Sequence, residues 1–259
     1  MAERKPFEEY IGKTFTMKNG EVAKVIGGTR TKTKVGFLGN YPSIRECTLG
    51  ALKKGLVKNL MRPNVYGVGI PGGIYTKDAH KKEYQVWADM LYRCSDYYKT
   101  KYINTYSDAF VADDFVCFTD FYKWITSQPN YEKWKSGHHW CLDKDIIGGK
   151  GNKIYSGKNC SLVPNNVNTL FVKKDLNRGN LPIGVTKNHD NYMAMCSDPF
   201  LHKNNYYLGT YNTPEQAFKV YKTYKEDIIK RVAEDEYLKG NIIKECYLSM
   251  LSYSVEITD

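Results

Sequence analysis

The stretch from Cys141 to Asn168, CLDKDIIGGKGNKIYSGKNCSLVPNNVN, carries the pattern on which the fold prediction depends. Residues 138–146 (HHWCLDKDI) have the character of a strand, and the segment GGKGNK after them predicts a turn. Residues 158–164 (KNCSLVP) predict a second strand, and NNVNTLF begins a short helix that carries Asn168. The order strand, turn, strand, helix predicts a small ββα unit.

Such a unit can hold a divalent metal when it supplies the right side chains. The first strand must offer an acidic or imidazole ligand, a base must lie beside it to activate water, and the helix must add a second ligand. Asp143 and Asp145 are two residues apart, so on a strand they face the same side and can share a metal. The alternative is a purely structural role, in which both aspartates cap a turn in a small α+β domain.

The second half of the stretch resembles the phage-encoded HNH homing endonucleases. Their core has Asp-His, a turn, then Asn with Val four residues on and Asn nine residues on, and Asn159, Val163 and Asn168 repeat that spacing. The resemblance implies that Asp143 and Asn168 bind magnesium or manganese and that Asn159 fixes the loop and orients the base. It also implies metal-dependent hydrolysis or nicking of a phosphodiester bond in duplex DNA.

One position departs from the family pattern. Lys144 stands where the family has its His general base, and an ordinary lysine is protonated at neutral pH. Lys144 could act as a base only if burial lowered its pKa. Otherwise His139, its neighbour His138, or Asp145 could substitute. A degenerate centre would leave a non-catalytic, sequence-preferring DNA-binding protein of phage origin, which is the alternative function.

The C-terminal third predicts three strands and a helix. The strand-like pieces are IGVTKN, YMAMCSD and YYLGTY, and Thr213-Pro214 has the N-cap and first-turn residues of a long helix. This pattern is similar to the plant Apetala-two/ERF-type DNA-binding domain, in which a strand face enters the major groove. Together with the basic linker before it, the resemblance implies the following DNA-binding candidates: Lys173, Lys174, Arg178, Lys187, Asn188, Tyr192, Met195, His202 and Lys203.

Charge points to the same kind of partner. The formal net charge is +10, and a basic chain suits a polyanion such as double-stranded DNA. Most of the positive charge is lysine, which favours phosphate contacts over base recognition. No apolar run reaches the roughly 20 residues of a membrane span, so no membrane partner is expected. The seven scattered cysteines and the polar N-terminus predict reduced thiols and a cytoplasmic location, in a host cell if the protein is phage-encoded.

Zinc is not expected, because His138, His139, Cys141 and Cys160 lack the spacing of zinc ligands. The fold class is predicted to be α+β, built from modules. These are a β-rich module that is expected to contact DNA (1–65), a helical and HNH-like ββα-metal domain (80–180), an Apetala-two/ERF-like domain (181–240) and a C-terminal extension (241–259). Helices are predicted over 81–99 and 113–127, each with an aromatic stripe that faces the core.

Overall fold

A computed structural model describes residues 5–172 and 180–257 of the chain. The chain divides into two compact units, residues 1–123 and residues 124–259. Helices alternate with strands that form several small sheets, which confirms the predicted α+β class. In the described residues no helix has the length and apolar character that a membrane crossing requires.

The first unit opens with a four-stranded antiparallel sheet in the order β1-β2-β3-β4. Its elements are a 3-10 turn at Glu8–Tyr10, β1 (Thr14–Thr16), β2 (Val22–Gly28), β3 (Thr33–Phe37), β4 (Ser43–Cys47) and α1 (Leu49–Lys53). The Asn19-Gly20 turn joins β1 to β2, and Gly20 takes a φ of +83°. The segment 43–60 supplies β4 and α1. Those two elements complete the sheet and its core.

The helical part of the first unit is more broken than the sequence predicted. It comprises α2 (Lys81–Arg93), α3 (Asp96–Lys101), α4 (Ile103–Tyr106), β5 (Phe110–Val111), α5 (Asp113–Val116) and the first part of α6 (Phe118–Thr126). The predicted helix 81–99 stops because Ser95 caps a new one, its hydroxyl accepting the backbone N–H of Tyr98 at 3.4 Å. The aromatic stripes are buried as predicted: Trp87 and Phe118 are fully buried, with ring centroids 5.3 Å apart.

The second unit contains the two segments that carry the family resemblances. Its elements are α7 (Tyr131–Ser136), β6 (Trp140–Asp143), α8 (Asp145–Gly148), β7 (Ile154–Tyr155), β8 (Ser161–Pro164), α9 (Asn165–Asn168), a 3-10 turn at Thr169–Phe171, β9 (Val185–Asn188), β10 (Asn191–Asp198), β11 (Lys203–Tyr211), α10 (Pro214–Leu238) and α11 (Lys244–Leu251). The three predicted C-terminal strands form one antiparallel sheet in the order β11-β10-β9.

Helix α10 is shared by both halves of this unit. Its first turns pack against the β9–β11 sheet through Ala217, Phe218 and Tyr221. Its later turns pack on the β6–β8 region through a core that includes Ile228 and Val232 and also buries α11. The C-terminal segment therefore packs back on the fold.

Two glycines of this sheet allow close contacts, one with α10 and one within β11. Gly184 has a φ of +75°, and a Cβ atom there would lie 2.0 Å from the ring of Tyr221. Gly209 has a φ of +133° next to the bulge of β11, where a Cβ atom would meet the hydroxyl of Tyr211 at 2.6 Å. Both positions need glycine because a side chain would be strained and would clash.

Candidate metal centre and DNA-contacting surface

The predicted ββα unit is present as a hairpin followed by a short helix. β6 pairs with β8 in antiparallel register, with Trp140 opposite Pro164 and Asp143 opposite Ser161, and α9 follows β8 directly. The first strand is shorter than predicted, because the chain turns into α8 at Asp145. Asp143 is thus the last residue of β6, at the point where the connecting loop leaves the strand.

The carboxylate of Asp143 is buried, with 6% of the residue exposed. Its Oδ1 accepts the backbone N–H groups of Asp145 at 3.0 Å and Ile146 at 2.8 Å, so Asp143 caps α8. Burial raises the pKa of Asp143, and the charge of Asp145 adds to this effect. The two N–H groups and Lys144 act in the opposite direction without reversing it. Burial therefore makes the charged form of Asp143 less favourable than it would be in water.

Lys144 is also buried, and its Nζ acts as a donor. It pairs with Asp145, donates to the carbonyl oxygen of Asn152 at 3.1 Å and lies 5.5 Å from the ring centroid of Tyr155. A general base must instead present a lone pair to its substrate. In this arrangement Lys144 stabilises the loop through the carbonyl oxygen of Asn152 and orients the carboxylate of Asp145.

Asn159, which the family resemblance assigns to the loop, bonds to a residue that the sequence did not single out. Its Nδ2 donates to Oδ1 of Asn152 at 3.1 Å. Nδ2 of Asn152 donates in turn to the carbonyl oxygens of Lys144 at 2.8 Å and Ile154 at 3.1 Å. Asn152 lies in a Gly- and Lys-rich turn, and asparagine is common in turns because its side chain bonds to nearby backbone groups. Its presence there therefore did not indicate a role at the site.

The structure does not bring His139 to Asp143. His138 and His139 precede β6 rather than lying on it, both are exposed, and His139 has a φ of +62°. Asp143 is four residues further along, which corresponds to about 13 Å of extended chain. Asp145, the other alternative base, lies beside Asp143, and 55% of its side chain is exposed.

The helix that carries Asn168 is firmly anchored. Val167 is fully buried in the same core as Ile146, and Nδ2 of Asn166 donates to a carboxylate oxygen of Glu236 on α10 at 3.0 Å. Asn168 is the last residue of α9 and is half-buried. Among the described residues, no group of three His, Cys, Asp or Glu side chains is arranged to hold a metal ion.

The β9–β11 sheet has one face on α10 and one face away from it. Val185, Ala194 and Cys196 pack against the helix. Successive side chains of a strand point to opposite faces, so the neighbours of these residues, and the residues that pair with those neighbours, form the outward face. The residues of this outward face are uncharged, and all of them except two methionines are polar. They are Thr186, Asn188, Asn191, Met193, Met195, Tyr207 and Thr210. Amide, hydroxyl and methyl groups of this kind can contact base edges.

The predicted DNA-binding residues are divided by this geometry. Asn188 and Met195 lie on the outward face, whereas Lys187 pairs with Tyr192 on the helix side. His202 and Lys203 are exposed in and after the turn between β10 and β11, and both line a groove of about 910 Å³. The remaining candidates lie outside the described residues: Lys173, Lys174 and Arg178.

Comparison of the chain with models of protein families, with curated proteins and with solved structures found no match.

Proposed function

We propose that this protein binds duplex DNA and hydrolyses a phosphodiester bond with a divalent metal held at Asp143, in the manner of an HNH homing endonuclease. The observation that carries the proposal is the braced hairpin. Asn159 and Asn152 hold the loop, and Asp143 lies at the end of β6 where that loop begins. Burial disfavours the charged form of the Asp143 carboxylate, which a bound cation would stabilise. The net charge of +10 supports a DNA partner.

The donor set at Asp143 fits a hard divalent cation. Within the described residues, the hydrogen bonds to Asp143 all reach Oδ1, which leaves Oδ2 for a metal. A cation would also offset the cost of burying this charge. Asn168, from the helix, would add an amide oxygen, and carboxylate and amide oxygens suit magnesium and manganese. When bound, the metal would neutralise charge on the scissile phosphate and stabilise the leaving oxygen.

The proposal assigns the role of base to Asp145 rather than to Lys144 or His139. Asp145 is exposed, lies two residues from Asp143 and is oriented by its ion pair with Lys144. In this role it would accept the proton of the attacking water. A carboxylate is a weak base, so we expect slow cleavage.

A non-catalytic DNA-binding protein is the second candidate. It is favoured by the contacts of Lys144, which commit the side chain at the family's base position to Asp145 and Asn152. Under this alternative the hairpin contributes only a fixed, basic surface, and the β9–β11 sheet selects the site.

Nicking of supercoiled plasmid in manganese, with a chelator control, distinguishes the two functions. The wild type should nick and Asp143→Asn should not, because the amide keeps the helix-capping oxygen but lacks the charge that holds a cation. Lys144→His should increase nicking, since an imidazole with a pKa near 6.5 is a better base at neutral pH. DNA binding by each variant is measured separately by anisotropy. Equal nicking by the wild type and Asp143→Asn would overturn the metal assignment. Binding without nicking, even by Lys144→His, would favour the second candidate.

The β9–β11 sheet is proposed to read the major groove with its outward face. Asn188, Met195 and Tyr207 would contact base edges, and Lys187 and Lys203 would contact phosphates at the sheet edges. The basic linker residues 173, 174 and 178 are proposed as further phosphate contacts.

A further inference from the structure

Three cations of the N-terminal module converge on one tyrosine. Lys53 donates from Nζ to the hydroxyl of Tyr10 at 2.8 Å and lies 4.4 Å from its ring centroid. Nζ of Lys13 lies 5.4 Å from that centroid, and the guanidinium carbon of Arg30 lies 5.7 Å from it. These residues come from the start of β1, the β2–β3 loop and the last turn of α1, so the fold itself brings them together.

The position of the cluster is fixed by the core of the module. Tyr10 is 9% exposed and packs with the buried residues of the sheet. The carbonyl oxygen of Arg30 accepts the backbone N–H of Leu49 at 2.8 Å, which ties the β2–β3 loop to the start of α1. Lys13 and Lys53 are exposed and Arg30 is half-buried, so a ligand can reach all three.

The positive charge of the cluster has no carboxylate partner within the described residues. The ion pairs of this module join Lys5 to Glu9, Lys34 to Glu46 and Arg62 to Glu21, and none involves the three cations around Tyr10. Glu8 and Glu9 share the 3-10 turn with Tyr10, but Glu9 is paired with Lys5 at 3.4 Å. The hydrogen bond from Lys53 lowers the pKa of Tyr10, and the charges of Lys53 and Arg30 act in the same direction.

We propose that Tyr10, Lys13, Arg30 and Lys53 form a phosphate-binding site on the N-terminal module that holds a backbone phosphate of DNA. Like charges brought this close repel one another, and an anion between them would relieve the repulsion. Arginine and lysine are the usual partners of phosphate, and the Tyr10 hydroxyl can donate to the same ligand. The DNA source rests on the proposed function, whereas the site for phosphate does not.

The salt dependence of duplex binding tests the DNA source. The double variant Lys13→Gln/Lys53→Gln should lower the slope of log affinity against log salt by about 0.9 per lost phosphate contact. At a fixed moderate salt the affinity should fall about fivefold, by the same relation. The matched control is Lys24→Gln/Lys34→Gln, which removes equal charge from exposed positions of the same sheet. An equal change in slope for the two double variants would overturn the inference, because it would reduce the effect to net charge.

Titration with inorganic phosphate tests the site without DNA. In the full chain labelled for NMR, the ring signals of Tyr10 should shift and saturate, and Lys13→Gln/Lys53→Gln should abolish the saturation. Absence of any phosphate-dependent shift would overturn the site. Saturation by phosphate together with an unchanged duplex slope would overturn the DNA assignment and identify a free phosphate as the ligand. If the wild type binds no duplex, the proposed function fails, and the phosphate titration still decides the site.

Discussion

The side-chain amide of Asn159 donates to Oδ1 of Asn152 at 3.1 Å, and this contact ties the residues just before β8 to the loop that follows Asp143. Asn152 then donates to the carbonyl oxygen of Lys144 at 2.8 Å. The carboxylate itself is held by the N–H groups of Asp145 and Ile146, and the loop behind it is held by two asparagines seven residues apart. One of them matches the family pattern and the other is visible only in the folded chain.

Removing this brace should destabilise the hairpin. Asn152→Ala leaves carbonyl groups of Lys144 and Ile154 without their donor, so the free energy of unfolding should fall by about 2 kcal/mol. Asn159→Ala should cost about 1 kcal/mol, because it removes a single side-chain bond. Urea denaturation measures both, with Asn165→Ala on the exposed start of α9 as the control. Equal losses in all three variants would show that the brace has no special role.

Asp143 should make stability depend on pH in a direction opposite to that of most carboxylates. Its folded pKa is raised by burial above the unfolded value of about 3.9. As the pH rises from the unfolded pKa toward the folded pKa, Asp143 loses its proton more readily in the unfolded chain. The free energy of unfolding therefore decreases over this interval. Below the interval this decrease is absent. Asp143→Asn has no such proton, so the stability of the wild type relative to the variant should increase as the pH falls from 7 to 4.

Thermal unfolding of both proteins across that pH range measures the difference, and other titrating groups cancel in the comparison. Manganese at pH 7 should raise the Tm of the wild type and leave Asp143→Asn unchanged, since ligand binding to the folded state stabilises it. Parallel Tm curves without metal would contradict the assigned direction of the pKa shift.

The two kinds of contact proposed for the β9–β11 sheet should separate by mutation. Asn188→Ala on the outward face should reduce discrimination between a preferred and a random duplex by about 1–3 kcal/mol. Lys187→Gln, on the helix side, should weaken binding to both duplexes alike and reduce the salt slope by about one. Selection of bound sequences followed by anisotropy gives both quantities. Loss of discrimination in Lys187→Gln alone would place base contacts on the other face.

The contact between Asp198 and Tyr224 should stabilise the sheet on α10. Asp198 is buried and accepts the backbone N–H groups of Phe200 and Leu201 as well as the hydroxyl of Tyr224. Tyr224→Phe removes a hydrogen bond to a charged group, which should cost about 2 kcal/mol of the free energy of unfolding. The control, Tyr207→Phe, loses only an exposed contact with Thr210 and should change stability by less than about 0.5 kcal/mol.

The same contact gives an alkaline signature. The hydrogen bond to Asp198 raises the pKa of Tyr224 to about 12, above the unfolded value of about 10. The stabilisation is therefore complete below pH 10 and is lost as the pH rises toward 12. Denaturation curves should show the wild type converging on Tyr224→Phe over that interval, and a constant difference would contradict the assignment.

Local signals in the sequence were sufficient for most of the elements. The strands at Val185–Asn188 and Asn191–Asp198 follow from alternating side chains and a turn between them. The start of α10 follows from Thr213, whose hydroxyl accepts the backbone N–H of Gln216 at 3.3 Å. Such features act within a few residues, so the sequence alone determined them. Exceptions include β4 and the break at Ser95, where a polar segment gained a pairing partner or a competing cap, and the shortened β6, where the chain turns into α8 at Asp145.

The candidate site depended on contacts that are distant along the chain. The spacing of Asp143, Asn159 and Asn168 along the sequence indicated a candidate site. Only the fold decided that Asp143 is buried and that Lys144 pairs with Asp145. It also decided that His139 turns away before β6 begins. The convergence of Lys13, Arg30 and Lys53 on Tyr10 has the same origin. Burial and charge proximity are properties of three-dimensional packing, which no short-range pattern of residue types encodes.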